Sequence, residues 1–416
     1  MVTPMKIVIV GAGPAGVSVA ETLRQYDDRP EIVMLSREPF PPYSPPALME
    51  YCLTGQEVHF WKGKDFLQRL GVDYRPGTGV ESVSPQQHKV RLADGQELPY
   101  DQLVLAAGSR VYAPVAGGDK PGVYDFKSLT AAEELLAEVR QGQARSAVII
   151  GAGFIGVEVG LLLADLGIEV TQLVRSRVMR TTLDPETSEI VLQAMQERGI
   201  QVRRDAEARA FAGEPRAEAV ELSSGDRLAA DILVGATGLK PNTQFLEGSG
   251  IETRWGVVVD DHLRTNLPDV YALGDLAETA NRVTGERDVY PNFPNAVAQG
   301  TVVGCNLLGW NLPYEGADRM NSLKHLGINV VAVGQTEGEE LRLRYGNVLR
   351  KLYLREGRIN GFRLVGDTSG AGIYRTLMNR KVNVEAFRDR LMEPGFGMGW
   401  FEDIAAAAAL EATGSG

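Results

Sequence analysis

Two copies of one glycine-rich loop constrain the fold of this chain more than any other feature of its sequence. Val-Ile-Val-Gly-Ala-Gly-Pro-Ala-Gly ends at Gly16, and Val-Ile-Ile-Gly-Ala-Gly-Phe-Ile-Gly ends at Gly156. Each copy follows an apolar, β-branched run and precedes a helix-like stretch, which predicts a strand–turn–helix unit. In such a unit the first glycine forms the tight turn, the second lets the backbone approach a pyrophosphate, and the third lets the helix pack close to the strand.

A single loop of this kind is weak evidence because glycine-rich turns are common. Two copies in strand–turn–helix context, 140 residues apart, predict that one chain holds two dinucleotides. The amides at the N-terminus of each helix would then bind the phosphates. The residues predicted to bind them are Gly11, Gly13, Pro14, Ala15 and Gly16 in the first loop and Gly151, Gly153, Ile155 and Gly156 in the second. A chain with two bound dinucleotides is suited to passing electrons between them.

The order of the predicted elements indicates an α/β fold with two Rossmann-like dinucleotide-binding domains and a C-terminal α+β domain. After the second loop unit, the chain returns to the first with a short apolar strand from Val270 to Leu273 and a helix from Ala296 to Leu308. From about Met320, alternating β-type runs replace this pattern. The predicted bounds are 1–112 and 246–319 for the first domain, 113–245 for the second and 320–403 for the third, followed by a disordered tail at 404–416.

The composition excludes several classes of protein. The two cysteines, Cys52 and Cys305, cannot form a disulfide framework and are too few for a zinc or iron–sulfur site, which indicates a reducing compartment. None of the four histidines lies near another in the sequence, so no metal site is predicted. A net charge of −11 disfavours nucleic acid as a general partner.

Neither a signal peptide nor a membrane span is predicted. The first strand begins at about Lys6, which leaves no room for a leader with an apolar core. The most apolar stretch, Ala147 to Ala164, contains Glu158 and several glycines, and it therefore predicts a buried strand and helix. The expected location is the cytoplasm.

An acid at the end of the second strand of a dinucleotide-binding unit normally binds the ribose, about 20 residues beyond the glycine loop. After the first loop this strand ends in Ser-Arg-Glu, so Glu38 is the predicted ribose ligand, with Arg37 beside it. The alternative is a solvated loop acid.

After the second loop, the equivalent region carries Arg175, Arg177 and Arg180. Guanidinium groups pair with a 2′-phosphate, which predicts NADPH as the donor and NADH as the second choice. The alternative is a cationic surface turn.

With these motifs, the chain resembles the flavoprotein pyridine nucleotide–disulfide oxidoreductases. It looks closest to the branch that contains rubredoxin and ferredoxin reductases and the flavin portion of NAD(P)H nitrite reductase. The resemblance spans roughly residues 5 to 400. Besides the two loops, the motifs that carry it are Ala-Ala-Gly ending at Gly108, Ala-Thr-Gly-Leu-Lys-Pro-Asn starting at Ala236, and Tyr-Ala-Leu-Gly-Asp ending at Asp275.

The resemblance implies that the first loop holds FAD and that Asp275 binds its ribityl chain. It also implies two residues beside the nicotinamide, Phe154 as a gate and Glu158 as the nearby acid. The alternatives are a plain packing role for Phe154 and a solvated helix position for Glu158. The other residues that the resemblance assigns to the cofactors are Val80, Ala107, Gly108, Gly274, Phe293, Pro294 and Ala296 for FAD and Gly238 for NAD(P)H.

The chain departs from the family at its thiol positions. Disulfide reductases of this family use a CxxxxC pair, and related oxidases and coenzyme A disulfide reductases use one cysteine near the flavin. Pro46 stands about where that single cysteine would be, and both Cys52 and Cys305 are predicted to be small buried residues. Met49 stands where ferredoxin reductases usually carry a lysine, so a lysine partner for Glu158 is not expected from this position.

A basic segment near the C-terminus indicates an acceptor that is a protein. Residues 341–390 contain twelve Lys or Arg and four Asp or Glu, a local charge of +8 in an acidic chain. Such a segment predicts an electrostatic docking patch, and small iron–sulfur carriers are typically acidic. The alternative is that these side chains face the first domain or a second copy of the chain in a homodimer.

The predicted function is an NAD(P)H-dependent FAD oxidoreductase. Hydride would pass from the nicotinamide to the flavin, and electrons would then pass to an iron–sulfur carrier or to a partner subunit. The enzymatic alternatives are an NAD(P)H oxidase and a disulfide reductase that uses Cys52. A third alternative is a flavin-bearing signalling or scaffold protein similar to the apoptosis-inducing factors.

Overall fold

The computed structural model describes residues 4–142, 144–393 and 395–397, so the predicted tail at 404–416 lies outside the described residues. The chain forms two compact units: the first comprises Met1–Ser176 and Arg198–Asp318, and the second comprises Arg177–Glu197 and Arg319–Gly416. The helices are α1 (Pro14–Tyr26), α2 (Leu48–Thr54), α3 (Phe66–Arg69), α4 (Leu129–Arg140), α5 (Phe154–Asp165), α6 (Pro185–Glu197), α7 (Phe293–Leu307) and α8 (Ala371–Asn379). None of these helices is long and apolar enough to cross a membrane in the part of the chain that is described.

A parallel five-stranded sheet carries the first glycine loop. Its strands, in spatial order, are Val270–Ala272, Gln102–Leu105, Lys6–Val10, Glu31–Leu35 and Asp73–Arg75. The central strand is fully buried from Ile7 to Ile9, which explains its continuous β-branched sequence. The strand Val270–Ala272 is the predicted return of the chain to this unit. The first glycine loop follows the central strand, at the carboxyl end where ligands of such sheets bind.

The second glycine loop follows the central strand of another parallel sheet. In spatial order its strands are Gln201–Arg204, Glu169–Val174, Ser146–Ile150, Ile232–Gly235 and Val123–Tyr124. The central strand pairs in parallel with both of its neighbours. The two sheets confirm the predicted α/β fold with two Rossmann-like dinucleotide-binding regions. The exact bounds of the domains within the first unit stay a prediction.

Smaller sheets complete the first unit. Three of them have three strands each: Val80–Ser84, Lys89–Leu92 and Glu97–Pro99; Ala208–Ala212, Ala219–Leu222 and Arg227–Ala229; and Val257–Val258, Ala277–Ala280 and Arg287–Asp288. In addition, Ser109–Tyr112 pairs with Gly238–Pro241 to form a two-stranded antiparallel ribbon. One strand of this ribbon follows the first parallel sheet in the chain, and the other follows the second. The ribbon therefore connects the regions that carry the two loops.

The second unit is built on an antiparallel sheet. Its strands, in spatial order, are Met320–Leu323, Val330–Gly334, Arg358–Val365, Val348–Arg355 and Glu339–Tyr345. Helix α8 packs on the strand Arg358–Val365 and buries Tyr374 completely. Helix α6 also belongs to this unit, although its sequence lies between two strands of the second parallel sheet. The segment Arg177–Glu197 is therefore packed with the C-terminal sheet.

A buried ion cluster holds this segment on the sheet. The Lys351 ammonium lies 2.8 Å from Asp184 and 2.9 Å from Glu186. Lys351 stands opposite Arg342 on one neighbouring strand and opposite Arg363 on the other, so three cations form a row across the sheet. Like charges in such a row repel each other. The carboxylates of Asp184 and Glu186 offset part of this positive charge through their ion pairs with Lys351 and Arg342, so they stabilise the segment on the sheet.

The ion pairs of this cluster shift the pKa of each member in the direction that favours its charged form. The hydrogen bond from Arg342, together with that from Lys351, lowers the pKa of Glu186 to about 2. Burial opposes the charge of Lys351, but its hydrogen bonds to Asp184 and Glu186 outweigh this effect and raise its pKa. Burial likewise favours the neutral form of Asp184, and hydrogen bonds from Lys351 and Thr187 outweigh it and lower that pKa.

Three of the twelve cations in the basic segment at 341–390 are buried, so its exposed charge is smaller than the count indicates, and a docking patch there stays a prediction. Arg350, Lys351 and Arg363 are buried, with 2%, 4% and 1% of their surface exposed. Arg350 pairs with Asp367 at 3.0 Å, and Lys351 pairs as described above. The local charge of +8 therefore overstates what a partner can contact. The count fails because the strands Val348–Arg355 and Arg358–Val365 are buried along most of their length, so charged side chains on both faces of the sheet are covered.

Candidate cofactor site

The first glycine loop has the geometry of a phosphate cradle. Gly11 has a φ of +116°, and a Cβ at this position would overlap the carbonyl oxygen of Ala106. A Cβ at Gly16 would overlap the carbonyl oxygen of Gly11, so helix and strand meet closely. At Gly13 a Cβ would meet no atom within 4 Å. The backbone is therefore open to a ligand at this point, and helix α1 begins at the next residue with free amides that favour an anion.

The second loop repeats this geometry. Gly151 has a φ of +99°, and a Cβ there would overlap the carbonyl oxygen of Ala236. Gly156 packs on the Gly151 carbonyl, whereas Gly153 again has open space around it. The Gly151 carbonyl also accepts a hydrogen bond of 2.8 Å from the side chain of Gln172, which is fully buried. The contact with Ala236 brings the motif that contains Gly238 next to the second loop.

Separated segments of the chain meet at the first loop. The contact between Gly11 and Ala106 brings in the motif that ends at Gly108. A Cβ on Gly274 would lie 3.0 Å from the Cβ of Ala15, which places the Asp275 turn against the start of α1. A Cβ on Gly300 of α7 would lie 2.5 Å from the carbonyl oxygen of Ala15. The structure thus brings together four segments that the sequence resemblance assigns to one cofactor.

Close packing against α1 places the N-terminus of α7 beside this site. A Cβ on Gly304, one turn after Gly300, would lie 2.6 Å from the Cβ of Thr22 on α1. The two glycines, four residues apart on one helix face, are the sequence signal for this approach, and no predicted motif included them. The helix begins earlier than predicted, so its first turn contains all the flavin residues expected from this part of the chain: Phe293, Pro294 and Ala296.

The carboxylate of Asp275 has two partners that the motifs did not mark. Ser109 donates to it from Oγ over 3.0 Å, and the Lys127 ammonium lies 2.9 Å away. The turn itself is fixed by Gln299, whose side-chain oxygen accepts a hydrogen bond of 2.6 Å from the backbone nitrogen of Gly274. Ser109 directly follows a recognised motif, so it was a reasonable candidate. No local pattern relates Lys127 to Asp275, because they are far apart in the sequence.

Both carboxylate oxygens of Glu38 have donors within the protein. The Tyr43 hydroxyl donates to one over 2.7 Å, and Thr130 donates to the other from its backbone nitrogen and its hydroxyl, each over 3.0 Å. Thr130 lies in the first turn of α4, where a negative charge is favoured. A carboxylate has about four acceptor positions, so Glu38 retains capacity for a ribose hydroxyl. Its neighbour Arg37 is exposed, and Val80 is buried. The cofactor roles of these residues stay predictions.

Helix α5 carries the two residues assigned to the nicotinamide. Phe154 and Glu158 are half-buried and lie one turn apart on the same face. Burial raises the pKa of Glu158 to about 7, and the positive charge of Lys127 partly opposes this rise. Helix α2, which packs against α5, carries the uncharged Met49 where ferredoxin reductases usually carry a lysine. Lys127, from another part of the chain, is the cation that acts on Glu158 instead.

Neither cysteine has the environment of a nucleophile. Cys52 and Cys305 are buried free thiols, which confirms the prediction. Burial raises the pKa of Cys52 to about 12, and it also raises the pKa of Cys305. A thiol with a raised pKa is almost entirely protonated at neutral pH and attacks disulfides poorly. These observations weaken the alternative of a disulfide reductase that uses Cys52.

The arginines predicted to recognise a 2′-phosphate are divided between the two units. Arg175 follows the strand Glu169–Val174 of the first unit and is exposed. Arg177 belongs to the second unit, where it donates to the carbonyl oxygens of Arg180 and Leu183 over 3.0 and 3.1 Å. Arg180 is exposed. Arg177 thus stabilises its own turn, and phosphate recognition by the three residues stays a prediction.

The model of the family described as pyridine nucleotide-disulphide oxidoreductase matches residues 5–300 of the chain. The chain is 28% identical to the epsilon subunit of an NADH-dependent phenylglyoxylate dehydrogenase from Aromatoleum evansii, over 93% of this chain and 94% of that protein. It is 30% identical to a rubredoxin-NAD(+) reductase from Pseudomonas putida, over 74% of this chain and 81% of that protein. The crystal structure of a covalent putidaredoxin reductase–putidaredoxin complex superposes with a TM-score of 0.85 at 26% identity, over 97% of this chain and 99% of that chain.

Proposed function

Because the chain belongs to the pyridine nucleotide-disulphide oxidoreductase family, we propose that it passes hydride from NAD(P)H to FAD and then electrons to an iron–sulfur carrier or a partner subunit. Family and relatives together make the chain an FAD-dependent NAD(P)H oxidoreductase. The finer parts of the proposal are NADPH as the preferred donor and a protein of ferredoxin or rubredoxin type as the acceptor.

The meeting of four segments at the first glycine loop is the observation that carries the proposal. The open backbone at Gly13 and the N-terminus of α1 would hold the pyrophosphate of FAD, and Glu38 would hold its ribose. Asp275, which Ser109 and Lys127 keep in place, would bind the ribityl hydroxyls. Bound FAD supplies the chemistry, since it accepts a hydride and can release the two electrons one at a time.

The second loop would hold the donor. Its open position at Gly153 would accept the pyrophosphate of NAD(P)H, and the exposed guanidinium of Arg175 would pair with a 2′-phosphate. Phe154 would line the nicotinamide pocket from the start of α5. Glu158 has a pKa of about 7, so it would hold or release a proton at the edge of this pocket near neutral pH.

A protein carrier is favoured as the acceptor for two reasons. The buried, protonated thiols argue against a disulfide as acceptor. Relatives also carry names that refer to such carriers or to larger assemblies: one is a rubredoxin reductase, one is crystallised with putidaredoxin, and one is a subunit of a dehydrogenase. Oxygen is the alternative acceptor, and a signalling protein with slow turnover is the alternative from another class.

Stopped-flow spectroscopy separates these functions. The purified holoprotein is mixed anaerobically with NADPH or NADH, and the reduced protein is then mixed with ferredoxin, rubredoxin, oxygen or a disulfide. We expect fast flavin reduction and reoxidation that is faster with an iron–sulfur protein than with oxygen or the disulfide. Fast reoxidation by oxygen alone would make the protein an oxidase. Slow reduction accompanied by a change of oligomeric state would favour the signalling alternative.

A further inference from the structure

Two aromatic side chains, the exposed Trp255 and the half-buried Tyr112, lie near the turn that carries Asp275. Trp255 has 45% of its surface exposed, and its ring packs edge-on against Tyr112 with 6.0 Å between the ring centroids. The Lys240 ammonium lies 5.5 Å from the centre of the Tyr112 ring, a cation–π contact. Large aromatic side chains at a surface are more typical of protein interfaces than of solvated faces.

The backbone ties both rings to the predicted flavin site. Tyr112 ends the strand whose first residue, Ser109, donates to Asp275. They are three residue steps apart along the strand, roughly 10 Å. On the other side, a Cβ on Gly256, the residue after Trp255, would lie 2.6 Å from the carbonyl oxygen of Leu276. The aromatic pair is therefore a fixed feature next to the Asp275 turn.

Three cationic residues neighbour the pair on the ribbon or in the chain. Arg110 and Tyr112 share one face of the two-stranded ribbon with Lys240, because Lys240 stands directly opposite Arg110 in its register. Arg254, next to Trp255 in the chain, is exposed, and its nearest carboxylate contact is Glu252 at 3.9 Å. Lys240 thus contacts one ring, Arg110 shares its face of the ribbon and Arg254 precedes Trp255 in the chain, in a protein whose net charge is −11. Such a local basic spot attracts an acidic partner that the rest of the surface repels.

We propose that Arg110, Tyr112, Lys240, Arg254 and Trp255, here called the aromatic surface, dock an acidic iron–sulfur carrier. The inference rests on the proposed function, since it uses the flavin that Asp275 would hold. One hydride from NAD(P)H supplies two electrons. Two oxidised carriers dock in turn, each gains one electron at its cluster, and one proton is released to water. The rings provide the apolar centre of the contact, and the cations orient the carrier.

Two substitutions and one matched control test this surface. Trp255→Ala removes the exposed ring, and Lys240→Glu reverses one charge. Trp310→Ala is the control, because Trp310 is 53% exposed and packs on another surface tyrosine, Tyr26, with 4.7 Å between the ring centroids. The dissociation constant of an oxidised acidic ferredoxin for each holoprotein is measured by titration calorimetry at several salt concentrations. The steady-state KM for the same ferredoxin and for the neutral acceptor menadione is measured in parallel.

We expect Trp255→Ala to weaken ferredoxin binding by about tenfold or more, as substitutions of central aromatic residues do in interfaces. Lys240→Glu should also weaken binding and flatten its salt dependence. Trp310→Ala should change binding by less than about twofold, and menadione turnover should be unchanged in all three variants.

Two results would overturn the proposal. Equal losses in Trp255→Ala and Trp310→Ala, or no loss in either, would show that the aromatic surface is not the docking site. A slower flavin reduction by NAD(P)H in Trp255→Ala, with ferredoxin binding unchanged, would assign the ring to the nucleotide. Failure of the proposed function is a separate result: the wild-type flavin would then not be reduced by either nucleotide.

Discussion

Replacing Lys351 with methionine should loosen the segment Arg177–Glu197 from the C-terminal sheet. The Lys351 side chain is 5% exposed and lies between the carboxylates of Asp184 and Glu186, so the substitution leaves Asp184 buried without its ion-pair partner. Breaking a buried ion pair from one side costs about 3–5 kcal/mol. At 1.4 kcal/mol for each factor of ten, the lower limit corresponds to a roughly 150-fold larger population of the opened segment.

Hydrogen exchange followed by mass spectrometry measures this change in the holoprotein, because exchange reports local opening of a structure. Peptides from the segment and from the strand Val348–Arg355 should exchange at least about a hundred times faster in the variant. Arg344→Met is the control. Arg344 contacts the same Glu186 at 3.1 Å but is 51% exposed, and such a pair contributes about 0–1 kcal/mol. Similar exchange in the Lys351 variant and the control would refute the reasoning.

The same cluster predicts a pH dependence. The pKa of Glu186 in the folded protein is about 2, below its ordinary value of 4.5, so its contribution to stability is fully present above about pH 4.5. This contribution should be lost as the pH falls from 4.5 toward 2. The difference in exchange between wild type and Lys351→Met should shrink over that window. A difference that stays constant down to pH 2 would contradict the assigned ion pairs.

Three further predictions concern the cofactor site. Asp275→Ala should lower the FAD content of the purified protein, because a ligand of the ribityl hydroxyls is lost, and full FAD occupancy would contradict its role. Arg175→Glu should lower kcat/KM for NADPH in flavin reduction by roughly ten- to hundredfold, because the charge-assisted contact with the 2′-phosphate is lost. The kcat/KM for NADH should change far less. An equal effect on both nucleotides would mean that Arg175 does not recognise the 2′-phosphate. Glu158→Gln should raise the melting temperature more at pH 8 than at pH 5. Burial raises the pKa of this carboxyl from 4.5 to about 7, so the cost of its ionisation builds up over that range and is complete above it. Equal changes at both pH values would mean that the carboxylate is well solvated.

Local patterns made the two loop units predictable. The spacing of Gly11, Gly13 and Gly16 encodes a turn, an open backbone and a close helix contact, and all three appear in the structure. Each depends on residues within a few positions of one another, which a sequence displays directly. The same is true of the buried strands, since a continuous β-branched run is stable only when both faces are covered.

Contacts between residues far apart in the chain could not be predicted from local sequence patterns. Lys127 pairs with Asp275 and lowers the pKa of Glu158, yet no motif near Lys127 in the chain indicates either interaction. The segment Arg177–Glu197 lies between two strands of the second parallel sheet but packs with the C-terminal unit. This packing buries Lys351, which a charge count had placed on the surface. In each case the decisive partner comes from a distant part of the chain, so propensity and spacing carry no signal for it.

An anaerobic titration tests the central claim most directly. The holoprotein is titrated with NADPH while the absorbance of its flavin is followed, and the reduced protein is then titrated with an oxidised, one-electron iron–sulfur carrier. We predict that one NADPH bleaches one FAD and that two carriers restore the colour. A protein that contains no FAD, a flavin that NADPH and NADH both leave oxidised, or a reduced flavin that no carrier reoxidises would contradict the account.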